Sequence, residues 1–358
     1  MATASGERLW DPGDPAFRAD PYPSYHRLRT EAPVYLSPGG PVVATRYDDV
    51  VRILRSNDVS RDVEANQRID ENDPIAVRRR QRNTAKTILN LDPPDHTRLR
   101  RLVSKAFTPS AVERLRPRIV AMVDERLDVA AERGSMELID DLAFPVPFLV
   151  ISELLDTPTD RGDELRDWSQ ALTATLEFAA TMEEFDAADA AITQLVPYLV
   201  DIIESRRSKP GDDVLSALLA VEDAGDTLSP AELISFVVLL YVAGHETTVN
   251  LIGNGVTALL RHPDELRRWR DDPSLDVTAV DELLRYDGPV QQTVRVPMVP
   301  FELAGIDGTP LVVQPGSLLL AALGAANRDP AMFDRPDELR LDRPNAAKHL
   351  SFGGGIHY

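Results

Sequence analysis

From Pro93 to about Pro273 apolar residues recur three and four positions apart, the period of amphipathic α-helices. The stretch before it is mixed, with a short helix over Ser24 to Glu31 and a strand-like run from Pro41 to Arg46. Residues 57–90 are polar, charged and poorly periodic, which predicts a long mobile loop. After Pro289 the run TVRVPMVPFELAGIDGTPLVV alternates β-branched residues between Gly- and Asp-containing turns, so short strands are expected. From Ala326 to Tyr358 the chain reads as loop, rich in Pro, Asp, Asn and Gly. The pattern predicts a mainly α fold with a small β part. No break in composition marks a boundary, so residues 1–358 are expected to form a single domain.

One helix stands out. Ser229-Pro230-Ala231-Glu232 is a helix start: Ser229 caps, Pro230 suits the first helical position and Glu232 reaches back as capping-box partner. The helix is expected to run to about Arg261, where Pro263 stops it, a length of about 48 Å. Its apolar stripe passes through Leu233, Phe236, Val237, Leu240, Leu251 and Ala258, and Gly244 and Thr247 interrupt it. Glycine there costs about 1 kcal/mol relative to alanine, and Glu246 brings a charge to the edge of a buried face. Two readings fit the interruption equally. Either Gly244 permits close helix packing, or the helix opens a groove with an acid and an alcohol at its rim, a pair suited to proton relay through water.

Composition narrows the classes. Acidic residues outnumber basic ones 58 to 39, a net charge of −19, which argues against a nucleic-acid partner. Hydrophobic residues make up 43%, enough for a sizeable core. The N-terminus lacks a basic start followed by an apolar stretch, and the longest apolar run, Leu233 to Gly244, is too short to span a bilayer. A soluble, cytoplasmic protein with no membrane association is expected. Cysteine is absent, which excludes disulfides, thiolate zinc sites and cysteine nucleophiles in this sequence. His26, His96, His245, His262, His349 and His357 show no metal spacing, and HETT lacks the second histidine of a zinc-protease helix, so no metal site is expected among them.

Three further constellations carry candidate chemistry. Asp92-Pro93-Pro94-Asp95-His96 reads as a helix start capped by Asp92, with His96 and Arg100 sharing a face. That face is either solvated and basic or a clamp for an anionic group. Glu282 and Arg285 lie three apart on a helix expected over Val277 to Tyr286, a common surface pairing. FGGGIHY, Phe352 to Tyr358, is either a flexible tail or a tight loop whose backbone approaches a flat cofactor closely.

Together, AGHETT (Ala243–Thr248), ELLR (Glu282–Arg285) and FGGGIHY, in that order, resemble the bacterial cytochrome P450 family of haem-thiolate monooxygenases. DPPDHTRLR (Asp92–Arg100) and AANRDPAMF (Ala325–Phe333) extend the resemblance over essentially the whole chain. It implies the cytochrome P450 fold and heme b (iron protoporphyrin IX) as cofactor. Ala243 and Gly244 would open the oxygen groove, and Glu246 and Thr247 would deliver protons for dioxygen scission. His96, Arg100, Arg295 and His357 match haem-propionate ligands, with Phe352 and Gly353 in the haem loop. Glu282 and Arg285 match a buried structural ion pair. Residues 57–90 and Val290–Thr293 would help line a pocket for an apolar small molecule.

By the same resemblance, electrons would come from a ferredoxin and its reductase to a protein acting as a monomer. From charge, Arg98, Arg101 and Lys105 are expected to form a local basic patch where an acidic ferredoxin docks. In the family the iron-binding cysteine follows the position of Tyr358, and the final helix and terminal β-hairpin lie beyond it. The chain is therefore expected to be C-terminally incomplete and, without the thiolate, inactive as it stands. The alternative is a haem-free auxiliary protein of the same fold that assists a partner such as a glycosyltransferase.

Overall fold

The computed structural model describes residues 8–38, 40–63, 67–68, 70–82, 86–223 and 225–358. The chain groups into two compact units, one of residues 1–70 and 254–358, the other of residues 71–253.

The unit of residues 71–253 is helical. Its main helices are Asp95–Ala106, Arg116–Arg133, Pro145–Leu154, Gly162–Ala174, Met182–Ser208 and Val214–Ala220, with the helix Pro230–Arg261 as far as Gly253. Their apolar faces close one core that includes Leu99, Phe148, Leu195, Leu215, Val237 and Tyr241. The long helix starts as its sequence dictates. Ser229 N donates to Glu232 Oε2 at 2.8 Å, Glu232 N donates to Ser229 Oγ at 3.3 Å, and the helix ends at Arg261. By length and composition alone it would cross a membrane, yet Leu233, Val237, Tyr241 and Val249 are buried in this core.

The stretch 57–90 is more ordered than its polarity suggests. A strand, Val59–Ser60, a helix, Pro74–Arg82, and a 3₁₀ turn, Ile88–Asn90, lie within it, while residues 64–66, 69 and 83–85 fall outside the described residues. Long-range contacts hold the helix. Arg78 pairs with Asp186 at 3.1 Å and Asp189 at 2.5 Å, and Arg79 donates to Glu177 O at 2.9 Å. Partners a hundred residues away leave no local period to read.

The unit of residues 1–70 and 254–358 holds a five-stranded sheet in the order Val34–Leu36, Val42–Ala44, Leu319–Ala321, Thr293–Pro297, Val59–Ser60. Val42–Ala44 pairs in parallel with Leu319–Ala321, in the register Val42 to Leu319, and the other pairings are antiparallel. A separate hairpin joins Phe301–Ala304 to Pro310–Val313. Val43, Leu319, Leu320 and Ala321 are fully buried, and the core of this unit packs the sheet against the helix Tyr47–Arg55.

Candidate functional site

The candidate residues fall in both units. In the helical unit, the interrupted turn Ala243–Thr248 lies inside one unbroken helix. Thr247 Oγ1 donates to Ala243 O at 2.9 Å, so the hydroxyl oxygen keeps its lone pairs for a further donor. Glu246 and Thr247 are half-buried, within reach of water. A Cβ on Gly244 would stand 2.6 Å from Ile151 Cδ1, so the missing side chain lets the helix Pro145–Leu154 approach closely. Alanine there would displace Ile151.

His96 and Arg100 sit four apart on the helix Asp95–Ala106. Pro94, not Asp92, occupies the cap position, and the Asp92 backbone carbonyl accepts from His96 N at 3.0 Å. The two prolines displace the start of the helix beyond Asp92. His96 is buried and Arg100 is exposed. Burial, and then the Arg100 charge, push the His96 imidazole below its ordinary pKa. Arg98 is committed elsewhere, bonded to Glu232 and, at 3.4 Å, to Asp226. Arg98 is thus only half-exposed and ion-paired, because the carboxylate that caps the long helix also takes it, while Arg101 and Lys105 of the expected basic group are exposed.

In the other unit, Arg295 is buried on the strand Thr293–Pro297, its Nη1 on Thr293 Oγ1 at 3.1 Å and Val294 O at 2.9 Å. Arg61 Nη1 shares both acceptors, at 2.8 and 2.9 Å. Glu282 and Arg285 are fully buried and joined by two bonds of 2.7 and 2.8 Å. Arg343, absent from the sequence reading, completes the cluster with its Nε on both Glu282 oxygens at 3.1 and 3.0 Å. In sequence it is one of three arginines, with Arg335 and Arg340, in a proline-containing loop, and nothing local singles it out. The guanidiniums spend their other donors on main-chain carbonyls, Arg285 on Asn327 and Pro336, Arg343 on Asp334, Arg335 and Glu338.

The terminal loop is pinned at its root. Asn327 Nδ2 donates to Ser351 Oγ, Ser351 Oγ to Leu284 O, and Leu350 N to Asn327 Oδ1. Gly353 and Gly355 adopt φ of +78° and +73°. A Cβ on Gly355 would lie 2.4 Å from Leu54 O, so the close approach made by this loop is to the helix Tyr47–Arg55. Phe352 is 60% exposed and His357 is partly exposed.

As a donor set, His96, Arg100, Arg295 and His357 offer two imidazoles and two guanidiniums, and the buried Arg295 and His96 suit carboxylates. By chemistry alone, imidazoles and guanidiniums of this kind suit haem propionates. For the iron itself the 358 residues contain no cysteine, so they supply no thiolate. Among the described residues no histidine, aspartate or glutamate cluster could hold another metal ion.

Residues 41–272 match the family model described as Cytochrome P450. The chain is 42% identical over 352 residues to Cytochrome P450 107B1 of Saccharopolyspora erythraea, covering 96% of this chain and 84% of that protein. Its fold matches the crystal structure of the myxobacterial cytochrome P450 CYP267B1 in complex with myristic acid, with a TM-score of 0.84 at 40% identity, covering 96% of this chain and 85% of that one. A second match is P450BioI in complex with acyl carrier protein ligated to hexadec-9Z-enoic acid, with a TM-score of 0.84 at 33% identity, covering 95% and 86%.

Proposed function

The chain belongs to the cytochrome P450 family, and from that premise we propose that it forms the framework of a monooxygenase that inserts one atom of dioxygen into an apolar small molecule. The observation that carries this reading is the turn Ala243–Thr248, where an acid and an alcohol stand next to each other on a core helix. When bound, the haem supplies dioxygen binding and activation. The protein's own residues manage the protons and hold the cofactor.

Thr247 donates its hydroxyl hydrogen to Ala243 O and keeps two lone pairs to accept a hydrogen bond from water or a bound species. Glu246, half-buried one residue earlier, exchanges protons with water. In this reading Arg295 and Arg100 supply the positive charge for haem carboxylates, with guanidiniums able to bind in the bidentate mode, and His96 and His357 supply N–H donors. Glu282, Arg285 and Arg343 touch none of these and act by holding loop 334–343 to the helix Asp276–Asp287.

An apolar substrate is supported by the fatty-acyl ligands named for two structural relatives. A ferredoxin and its reductase are the electron donors in this reading, at a surface that includes Arg101 and Lys105. The protein works in solution in the cytoplasm, its long helix serving as a core helix. Carbon-monoxide difference spectra test the proposal. Reconstituted with haem, the cysteine-free 358-residue polypeptide is expected to lack a thiolate-type Soret band, and a form carrying the family's cysteine after Tyr358 to show it. A cysteine-bearing form that takes up no haem would refute the enzyme reading and favour an auxiliary protein.

A further inference from the structure

His245 is used by none of the roles above. Its Nδ1 lies 2.5 Å from Tyr241 O, and within the same turn Thr247 Oγ1 and Thr248 Oγ1 reach Ala243 O and Gly244 O at 2.9 and 3.4 Å. Three side chains thus turn back onto carbonyls that the helix already commits to amides four residues on. A carbonyl oxygen only accepts, so the His245 proton sits on Nδ1 and the neutral ring leaves Nε2 a bare lone pair. That Nε2 is buried and has no hydrogen-bond partner among the described residues.

The ring is 1% exposed and stands edge-on to Phe144, with centroids 5.7 Å apart. Phe144 is aimed by the π-helical turn Ile139–Ala143, closed by its own amide on Ile139 O at 2.9 Å. The charged groups around the ring are Glu246 on its own helix, Arg166 on the helix Gly162–Ala174 and Asp140 of the π turn. Arg166 lies 4.5 Å from the Phe144 centroid and pairs with Asp140 at 2.8 Å. Burial above all lowers the His245 pKa, and Arg166 adds to it. A phenylalanine of similar shape would fill the site without leaving a buried acceptor unsatisfied. Packing alone does not account for an imidazole here.

We propose that His245 is a positioning residue: its Nδ1–H holds the Tyr241 carbonyl and fixes the turn from which Glu246 and Thr247 project. The inference rests on the acid–alcohol reading above and concerns the donor at Nδ1. In the 358-residue protein, nitrogen-15 NMR of the histidine rings at neutral pH is expected to show His245 as the neutral Nδ1–H tautomer. His245→Phe is expected to raise amide hydrogen exchange at residues 245–248 about fivefold, while global stability to urea holds or rises. His245→Asn, whose amide nitrogen takes the place of Nδ1, restores the slow exchange. An Nε2–H tautomer, or equal exchange in the Phe and Asn variants, would overturn the proposal. Failure of the acid–alcohol reading shows separately, as unchanged electron coupling on Thr247→Ala with these NMR results intact.

Discussion

Glu282 is the single anion of a buried cluster with two guanidiniums, so its neutralisation should be among the most destabilising one-atom changes in the protein. Its oxygens accept from Arg285 Nε and Nη2, Arg343 Nε and the Arg340 amide, all between 2.7 and 3.1 Å. At an effective dielectric of about 20, unit charges about 3 Å apart attract by roughly 5 kcal/mol. Much of that offsets the desolvation of groups that are 1% exposed or less. Glu282→Gln keeps the shape but leaves two buried cations facing no anion, at an expected loss of about 3–5 kcal/mol. Arg343→Met removes its bonds to the Glu282 oxygens and to main-chain acceptors but leaves the Glu282–Arg285 pair intact, with no cation stranded, so a smaller loss of about 1–3 kcal/mol is expected. In the double variant one cation fewer is stranded, and the loss should fall short of the sum by about 1–3 kcal/mol. Urea unfolding followed by circular dichroism measures all three. A loss under about 1 kcal/mol for Glu282→Gln, or strict additivity, would refute the cluster as a coupled charge unit.

Gly355→Ala should cost about 1–3 kcal/mol in urea unfolding, because it combines φ of +73° with a Cβ 2.4 Å from Leu54 O. Gly134→Ala, at φ +74° with nothing within 4 Å, should cost less; equal losses would dismiss the Leu54 contact. Burial lowers the pKa of His96, His245 and His349. The unfolded chain, with histidines near about 6.5, then binds more protons in acid, so stability is fully present above about pH 6.5 and declines as the pH falls below it. A urea midpoint that stays flat as the pH falls contradicts this, and His245→Phe should shrink the slope. In a cysteine-bearing form supplied with ferredoxin, Thr247→Ala should lower product per electron pair on the order of tenfold and divert the remainder to peroxide. Unchanged coupling sinks the proton-delivery role of Thr247.

The helix Pro230–Arg261 was legible to the residue because its caps and its proline stop are local signals. The mainly α fold with a small β part, and the strands after Pro289, were legible from period alone. What escaped shares a cause. The helix Pro74–Arg82 is anchored by aspartates on Met182–Ser208, Arg343 finds Glu282 across 61 residues, and Arg98 is claimed by Glu232. Each depends on a partner far along the chain, which no window of neighbouring residues contains. The candidate site residues carry a reading only as a set, through the order of their motifs. The same Glu-Arg spacing that marks a weak exposed pair elsewhere is here enclosed by loop 334–343, and sequence spacing carries no information about enclosure.

The parallel pairing of Val42–Ala44 with Leu319–Ala321 has a consequence for synthesis. The strand Val42–Ala44 leaves the ribosome about 275 residues before the strand it pairs with in parallel, an interval of roughly 14–55 seconds at ordinary elongation rates. The helical unit, continuous from residue 71 to 253, is complete within that interval and has mostly near-neighbour contacts to make. The order of synthesis therefore predicts a nascent state in which the unit of residues 71–253 is folded before the sheet of the other unit can close. Even when paired with Val34–Leu36, the apolar strand Val42–Ala44 keeps one open edge until Leu319–Ala321 arrives, an edge open to a chaperone or a second nascent chain.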